Sequence, residues 1–125
     1  MKKPTGRELA AFCLEKTKEH SVYMWGEYGR PVSERIISAK AKKYPLRYTE
    51  KRQEKLRSLI GKGYVGCDCG GLYKYFLWSD GGRSPLRYRK ATDRNAAGMY
   101  SAATERGKAS ALPEIEGLIL YMPNH

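Results

Sequence analysis

The chain reads as one α+β domain spanning residues 1–125, and three observations predict that class. Capped segments with helical spacing of apolar residues recur through the first half of the chain. A small-residue turn, Gly66-Cys67-Asp68-Cys69-Gly70-Gly71, then opens an apolar, aromatic segment of helical length that ends near Trp78. Close to the C-terminus, Leu118-Ile119-Leu120-Tyr121-Met122 has the branched and aromatic composition of a strand.

The elements follow in order. Thr5 with Glu8 three residues on resembles a capping box and opens a helix to about His20, with Leu9, Phe12 and Cys13 on one face. Tyr23-Met24-Trp25-Gly26-Glu27-Tyr28-Gly29 is an aromatic, glycine-rich loop. Ser33 caps a second helix to about Lys43, with Ile36, Ile37 and Ala41 inward, and Pro45 ends it. Thr49 starts a third, carrying Leu56, Leu59 and Ile60 and stopped by Gly61 and Gly63. Asp68 caps the helix of Cys69. Residues 79–95, with Gly81-Gly82, Pro85 and four arginines, read as a long exposed loop. A short helix over Ala96 to Arg106, a turn over Pro113 to Gly117 and the Leu118–Met122 strand complete the chain. A lone strand leaves its backbone donors and acceptors unpaired, so the chain is expected to break off partway through a sheet.

With 41% hydrophobic and 30% charged side chains, 125 residues suffice for one core and exclude a disordered chain. Twenty-four Lys and Arg against 13 Asp and Glu give a net charge of +11. Such a surface attracts polyanions, whether nucleic acid, anionic lipid or an acidic envelope polymer, and the charge does not choose among them. The first residues contain no apolar signal region, and no apolar stretch reaches membrane-spanning length. Three cysteines, an odd number, argue against a disulfide framework and for synthesis in the cytoplasm without a signal peptide.

Cys69 carries the chemistry. In the first turn of its helix it sits at the positive end of the helix dipole, which favours thiolate over thiol. Gly70 and Gly71 remove side-chain bulk beside the sulfur. A cysteine nucleophile needs a base, and the one candidate downstream is His125. Spacing alone leaves two readings open: a Cys69–His125 pair, or an inert thiol and a terminal histidine. Cys67 competes for the nucleophile role, but nothing before it caps a helix. Cys67-x-Cys69 with His20, Cys13 or His125 could hold zinc, yet no second metal-ligand pair exists, so neither a metal nor another cofactor is expected. Cys13 reads as core packing, and His20 is explained by its place near a helix C-terminus. Arg83, Arg87, Arg89, Lys90 and Arg94, with Tyr88 among them, form either a phosphate-binding patch or a solvated loop. No helix-turn-helix, zinc finger or ribonucleoprotein motif accompanies them, so nucleic acid is not the expected partner.

Four segments in order resemble the NlpC-type cell-wall cysteine peptidases, papain-like hydrolases of bacteria and phage lysins. They are Tyr23-Met24-Trp25-Gly26, Asp68-Cys69-Gly70-Gly71-Leu72, Glu116-Gly117-Leu118-Ile119-Leu120-Tyr121 and Asn124-His125. Residues 33–63 resemble the helical insertion of the phage-lysin-like members. The resemblance implies a papain-like fold, with the nucleophile helix packed on an antiparallel sheet. It implies Cys69 as nucleophile, His125 as general base, and Tyr23 and Asp68 holding the free amine end of a peptidoglycan stem peptide. Trp25 and Gly70 would complete the substrate site. Gly70 stands where the family commonly has Ser, which removes one hydroxyl there. The family places a third polar residue on a strand after the base. The chain as written stops at His125, so a truncated domain with weak or no activity is expected. Action would be at the bacterial cell wall. The competing expectation is a basic binding module, for nucleic acid or an anionic cell-wall polymer, in which Cys69 does no catalysis.

Overall fold

Three short strands lie at the centre of the molecule, and the last of them runs directly into the helix of Cys69. The computed structural model describes residues 4–120. Among these, helices α1 (Gly6–Lys18), α2 (Glu34–Lys43), α3 (Glu50–Arg57), α4 (Cys69–Trp78) and α5 (Ala96–Ala102) surround strands β1 (Ser21–Tyr23), β2 (Tyr28–Pro31) and β3 (Val65–Cys67). Two 3₁₀ turns, Lys90–Thr92 and Ala109–Ala111, punctuate the C-terminal third. The α+β class holds.

Local chemistry sets the helix starts. The side chains of Thr5, Ser33, Thr49 and Asp68 each accept the backbone N–H three residues on, as N-caps do. Each satisfies a donor that the first turn leaves without a helical partner. The C-terminal ends of α1, α2 and α3 carry Lys or Arg, which complement the negative end of the dipole.

The sheet order is β1-β3-β2, with β3 parallel to β1 and antiparallel to β2. Cys67 therefore lies between Tyr23 and Tyr28 in register. Two cores flank the sheet. Met24, Val32, Ile36, Ile37, Tyr48 and Leu56 bury the α2–α3 hairpin, so residues 33–63 build a core rather than hang from one. Leu9, Phe12 and Phe76 pack α1 against α4. Trp78 is buried edge-on to Tyr28 and Tyr88, with both ring centroids 5.1 Å away.

Several expectations are corrected. The sheet is mixed rather than antiparallel, and its strands come from the segments beside the aromatic loop and before Cys67. Leu118–Leu120, the described part of the expected strand, forms no strand. An edge needs a partner, and this segment lies beside helices α1 and α4 instead. Tyr121 and Met122 fall outside the described residues. α1 stops at Lys18, α3 at Arg57 and α5 at Ala102, short of the expected ends near His20, Ile60 and Arg106.

Candidate active site

The start of α4 is built by one carboxylate. Asp68 Oδ1 accepts the Gly71 N–H at 2.6 Å, and Oδ2 accepts the Gly26 N–H at 2.9 Å. The first bond caps α4. The second ties the cap to the aromatic turn 42 residues earlier in sequence. Cys69, the first residue of α4, is exposed. The Leu72 N–H reaches the Asp68 carbonyl at 2.9 Å, while the N–H groups of Cys69 and Gly70 have no acceptor among the described residues. Two free donors thus flank an accessible sulfur at a helix N-terminus.

Glu27 supports this arrangement and was not singled out by its sequence. Its backbone carbonyl accepts the Asp68 N–H at 3.1 Å. Its side chain is fully buried yet paired: Arg30 Nε and Nη2 donate to it at 2.7 and 3.0 Å, and Lys40 Nζ lies 3.9 Å away. Lys40 also donates to the Gly26 carbonyl at 2.7 Å. A buried carboxylate is tolerated only with such partners, so the turn is held from both its side chain and its backbone. The one sequence signal was an acid in an apolar turn with Arg three residues on.

Gly71 has a role different from the expected one. The space of its missing side chain is occupied by the Glu27 carbonyl oxygen, with which a Cβ would collide. It lets strand and helix approach closely and leaves no room for substrate. Gly70 does have room for a Cβ, which would make ordinary contacts with the Met99 methyl at 3.7 Å and Asp68 Oδ1 at 3.9 Å.

Cys69 has two unlike flanks. On one side, Leu9, Cys13, Leu72, Tyr73, Gly117, Leu118 and Ile119 line with it an apolar cleft of about 200 Å³. The C-terminal segment reaches that cleft by crossing the start of α1 at Gly6, where Gly6 and Gly117 meet backbone to backbone and neither could carry a Cβ. Arg7 Nε fastens the crossing to Glu116 at 3.1 Å. Tyr23 does not line that cleft but lies close enough to Cys69 to interact with it electrostatically, and Trp25 follows two residues on. The Tyr48 hydroxyl donates to the Trp25 carbonyl at 2.6 Å, and Arg47 lies 3.9 Å above the Trp25 ring centre. Arg52 lies 5.8 Å from the Tyr23 ring centre. The Tyr23 hydroxyl is raised above its ordinary pKa chiefly by burial, then by the neighbouring Asp68 and Cys69, while Arg47 and Arg52 pull it down. All four therefore surround it.

The remaining cysteines and histidines separate cleanly. Cys67, half-buried in β3, has its thiol pushed up to about 11 by burial, then by Asp68. Burial also raises Cys13. Burial thus holds both thiols in the neutral form more firmly than an ordinary cysteine. His20 packs edge-on to Tyr64 at 4.9 Å, among residues other than those around Cys69. His125 lies outside the described residues. Among those described, no three His, Cys, Asp or Glu side chains gather to hold a metal.

The basic loop is partly ordered by its own contacts. Lys74 Nζ bonds Asp93 at 2.6 Å, the Tyr88 hydroxyl bonds the other Asp93 oxygen at 2.7 Å, and Arg83 pairs with Glu8 and Asp80. Arg87, Arg89, Lys90 and Arg94 are exposed. No helix among the described residues is long and apolar enough to cross a membrane. The chain matches no family model, no curated protein and no solved structure.

Proposed function

We propose that the protein is a thiol endopeptidase of papain-like architecture that cleaves amide bonds in the stem peptides of bacterial cell-wall peptidoglycan. The observation that carries this is the exposed Cys69 at the first position of α4, with its own N–H and that of Gly70 left without an acceptor among the described residues. In this reading the Cys69 thiolate attacks the amide carbonyl carbon, forming an S–C bond. The two N–H groups receive the oxyanion. The C–N bond breaks, and the departing amine takes the proton that His125 removed from the thiol. Water then attacks the thioester with His125 as base, releasing the acid and restoring the thiol. Tyr23, Trp25, Asp68 and Gly70 line the substrate subsites.

The test is digestion of purified peptidoglycan, followed by mass spectrometry of the released peptides. Cleavage should vanish in Cys69→Ala and fall by roughly a hundredfold or more in His125→Ala. At pH 7, iodoacetamide should modify Cys69 ahead of Cys13 and Cys67. Cleavage surviving Cys69→Ala, or equal labelling of the three thiols, would overturn the assignment.

The exposed Arg87, Arg89, Lys90 and Arg94 favour a second reading, a basic module that binds an anionic polymer without catalysis. It predicts salt-sensitive binding that survives Cys69→Ala and weakens when those four residues are neutralised. Absence of low-salt binding to both nucleic acid and an anionic wall polymer would end it.

A further inference from the structure

The α2–α3 hairpin is strongly basic, with ten Lys and Arg against three Glu over residues 33–63. Two of its arginines stand apart. Arg57 is spoken for by Glu34 at 2.8 Å, and Lys40 by Glu27 and a backbone carbonyl. Arg47 and Arg52 are exposed and have no carboxylate partner among the described residues. Instead they lie over the Trp25 and Tyr23 rings, at 3.9 and 5.8 Å. A guanidinium against an aromatic face is held in orientation by the ring quadrupole, yet its five N–H donors lie in its own plane and stay free. That fork matches a planar carboxylate.

The described carboxylates of this turn, Glu27 and Asp68, are already engaged, Glu27 by Arg30 and Lys40. Both oxygens of Asp68 accept backbone N–H groups, from Gly71 and Gly26, in bonds that fix the helix start. Asp68 is therefore committed to positioning Cys69, and the unsatisfied charge on this flank is positive. An incoming ammonium would meet two guanidinium groups. An incoming carboxylate would meet two ordered, unpaired forks.

We propose that Arg47 and Arg52 form a carboxylate-binding subsite on the aromatic flank of Cys69, so that the substrate group seated there is anionic. The identity of that substrate as a stem peptide rests on the peptidase reading, but the subsite itself does not. It assigns the amine-holding role expected for Tyr23 and Asp68 elsewhere and makes the α2–α3 hairpin a specificity element. The apolar cleft on the opposite flank then receives the uncharged side of the substrate.

The test uses two thiol probes that differ in charge, iodoacetate and iodoacetamide, on the full chain at constant ionic strength. In each, the Cys69 sulfur displaces iodide and an S–C bond forms; only iodoacetate carries a carboxylate. The rate ratio of iodoacetate to iodoacetamide at Cys69, read by mass spectrometry of the labelled peptide, should fall by about fivefold or more in Arg47→Gln/Arg52→Gln. Arg47→Lys/Arg52→Lys, which keeps charge but loses the planar fork, should lower it less. Lys18→Gln/Lys62→Gln removes two charges elsewhere and should leave it unchanged. An unchanged ratio in the Arg47/Arg52 variant overturns the subsite. An equal fall in the Lys18/Lys62 variant also overturns it, because the general positive field then accounts for the effect. Failure of the peptidase reading shows separately, as peptidoglycan left intact by a protein whose probe ratio still depends on Arg47 and Arg52. Circular dichroism of each variant confirms that the comparison is made on folded protein.

Discussion

Asp68 is the residue on which the site turns, because its two oxygens do different things. Oδ1 caps α4 and Oδ2 holds Gly26. Asp68→Ala should lose both bonds and about 1–2 kcal/mol of stability. Asp68→Asn keeps an acceptor for Gly71, but its amide nitrogen cannot accept from Gly26, so its loss should be smaller. Thermal denaturation of the pair separates the two bonds. Cys67 supplies a pH signature. Its thiol is raised by burial from an ordinary value of 9.0 to about 11. A raised folded value means that the protonated form is favoured on folding, so this stability is complete below pH 9 and is lost as pH climbs through about 11. Urea midpoints measured across that range should fall in the native chain and fall less in Cys67→Ala. At this scale much was legible. The thiol, its cap and the neighbouring aromatics all showed in Tyr23-Met24-Trp25-Gly26 and Asp68-Cys69. Glu27, Arg47 and Arg52 did not, because each acquires its meaning from partners distant in sequence.

Between elements, glycines mark where backbones touch. Gly71→Ala would drive a methyl into the Glu27 carbonyl, separating α4 from the aromatic turn. The expected cost is about 1–3 kcal/mol, with Cys69 displaced and its iodoacetamide rate changed in step. Gly117→Ala is a contrasting case. It collides with Gly6, and φ at Gly117 is +82° besides, so the C-terminal segment should lift from α1. That segment buries little, so global stability should change by less than about 1 kcal/mol, while faster hydrogen exchange is confined to residues near Gly6 and Gly117. Helix starts could be read from the sequence because capping is local: Thr5, Ser33, Thr49 and Asp68 act within three residues. The strands could not. Each is three or four residues long, too short for a period of two to declare itself, and they include Gly29, Pro31 and Gly66. What makes them strands is pairing across more than 30 intervening residues. Leu118–Leu120 shows the converse. Its composition favours a strand, but it pairs with neither edge strand, β1 or β2, and its backbone runs over α1.

For the molecule as a whole, the net charge of +11 sets an expectation that holds under either functional reading. Retention on an immobilised polyanion should weaken linearly in log salt, and Cys69→Ala should elute with the parent protein. A loss of retention in Cys69→Ala would tie the charge to the thiol and contradict both readings. The sequence by itself determined the α+β class, four helix starts, the charge and the candidate nucleophile. Each of these depends on composition or on contacts within one helical turn. The tertiary structure decided the mixed sheet, the two cores, the clamp on Glu27 and the opposed flanks of Cys69. Those depend on which distant segments meet: burial and pairing select among many locally acceptable arrangements, and no local pattern encodes the choice. Cys69 could be found from its neighbours in sequence, whereas the cationic shelf and the apolar cleft exist only because β3 pairs beside Tyr23 and leads into α4, which packs on α1.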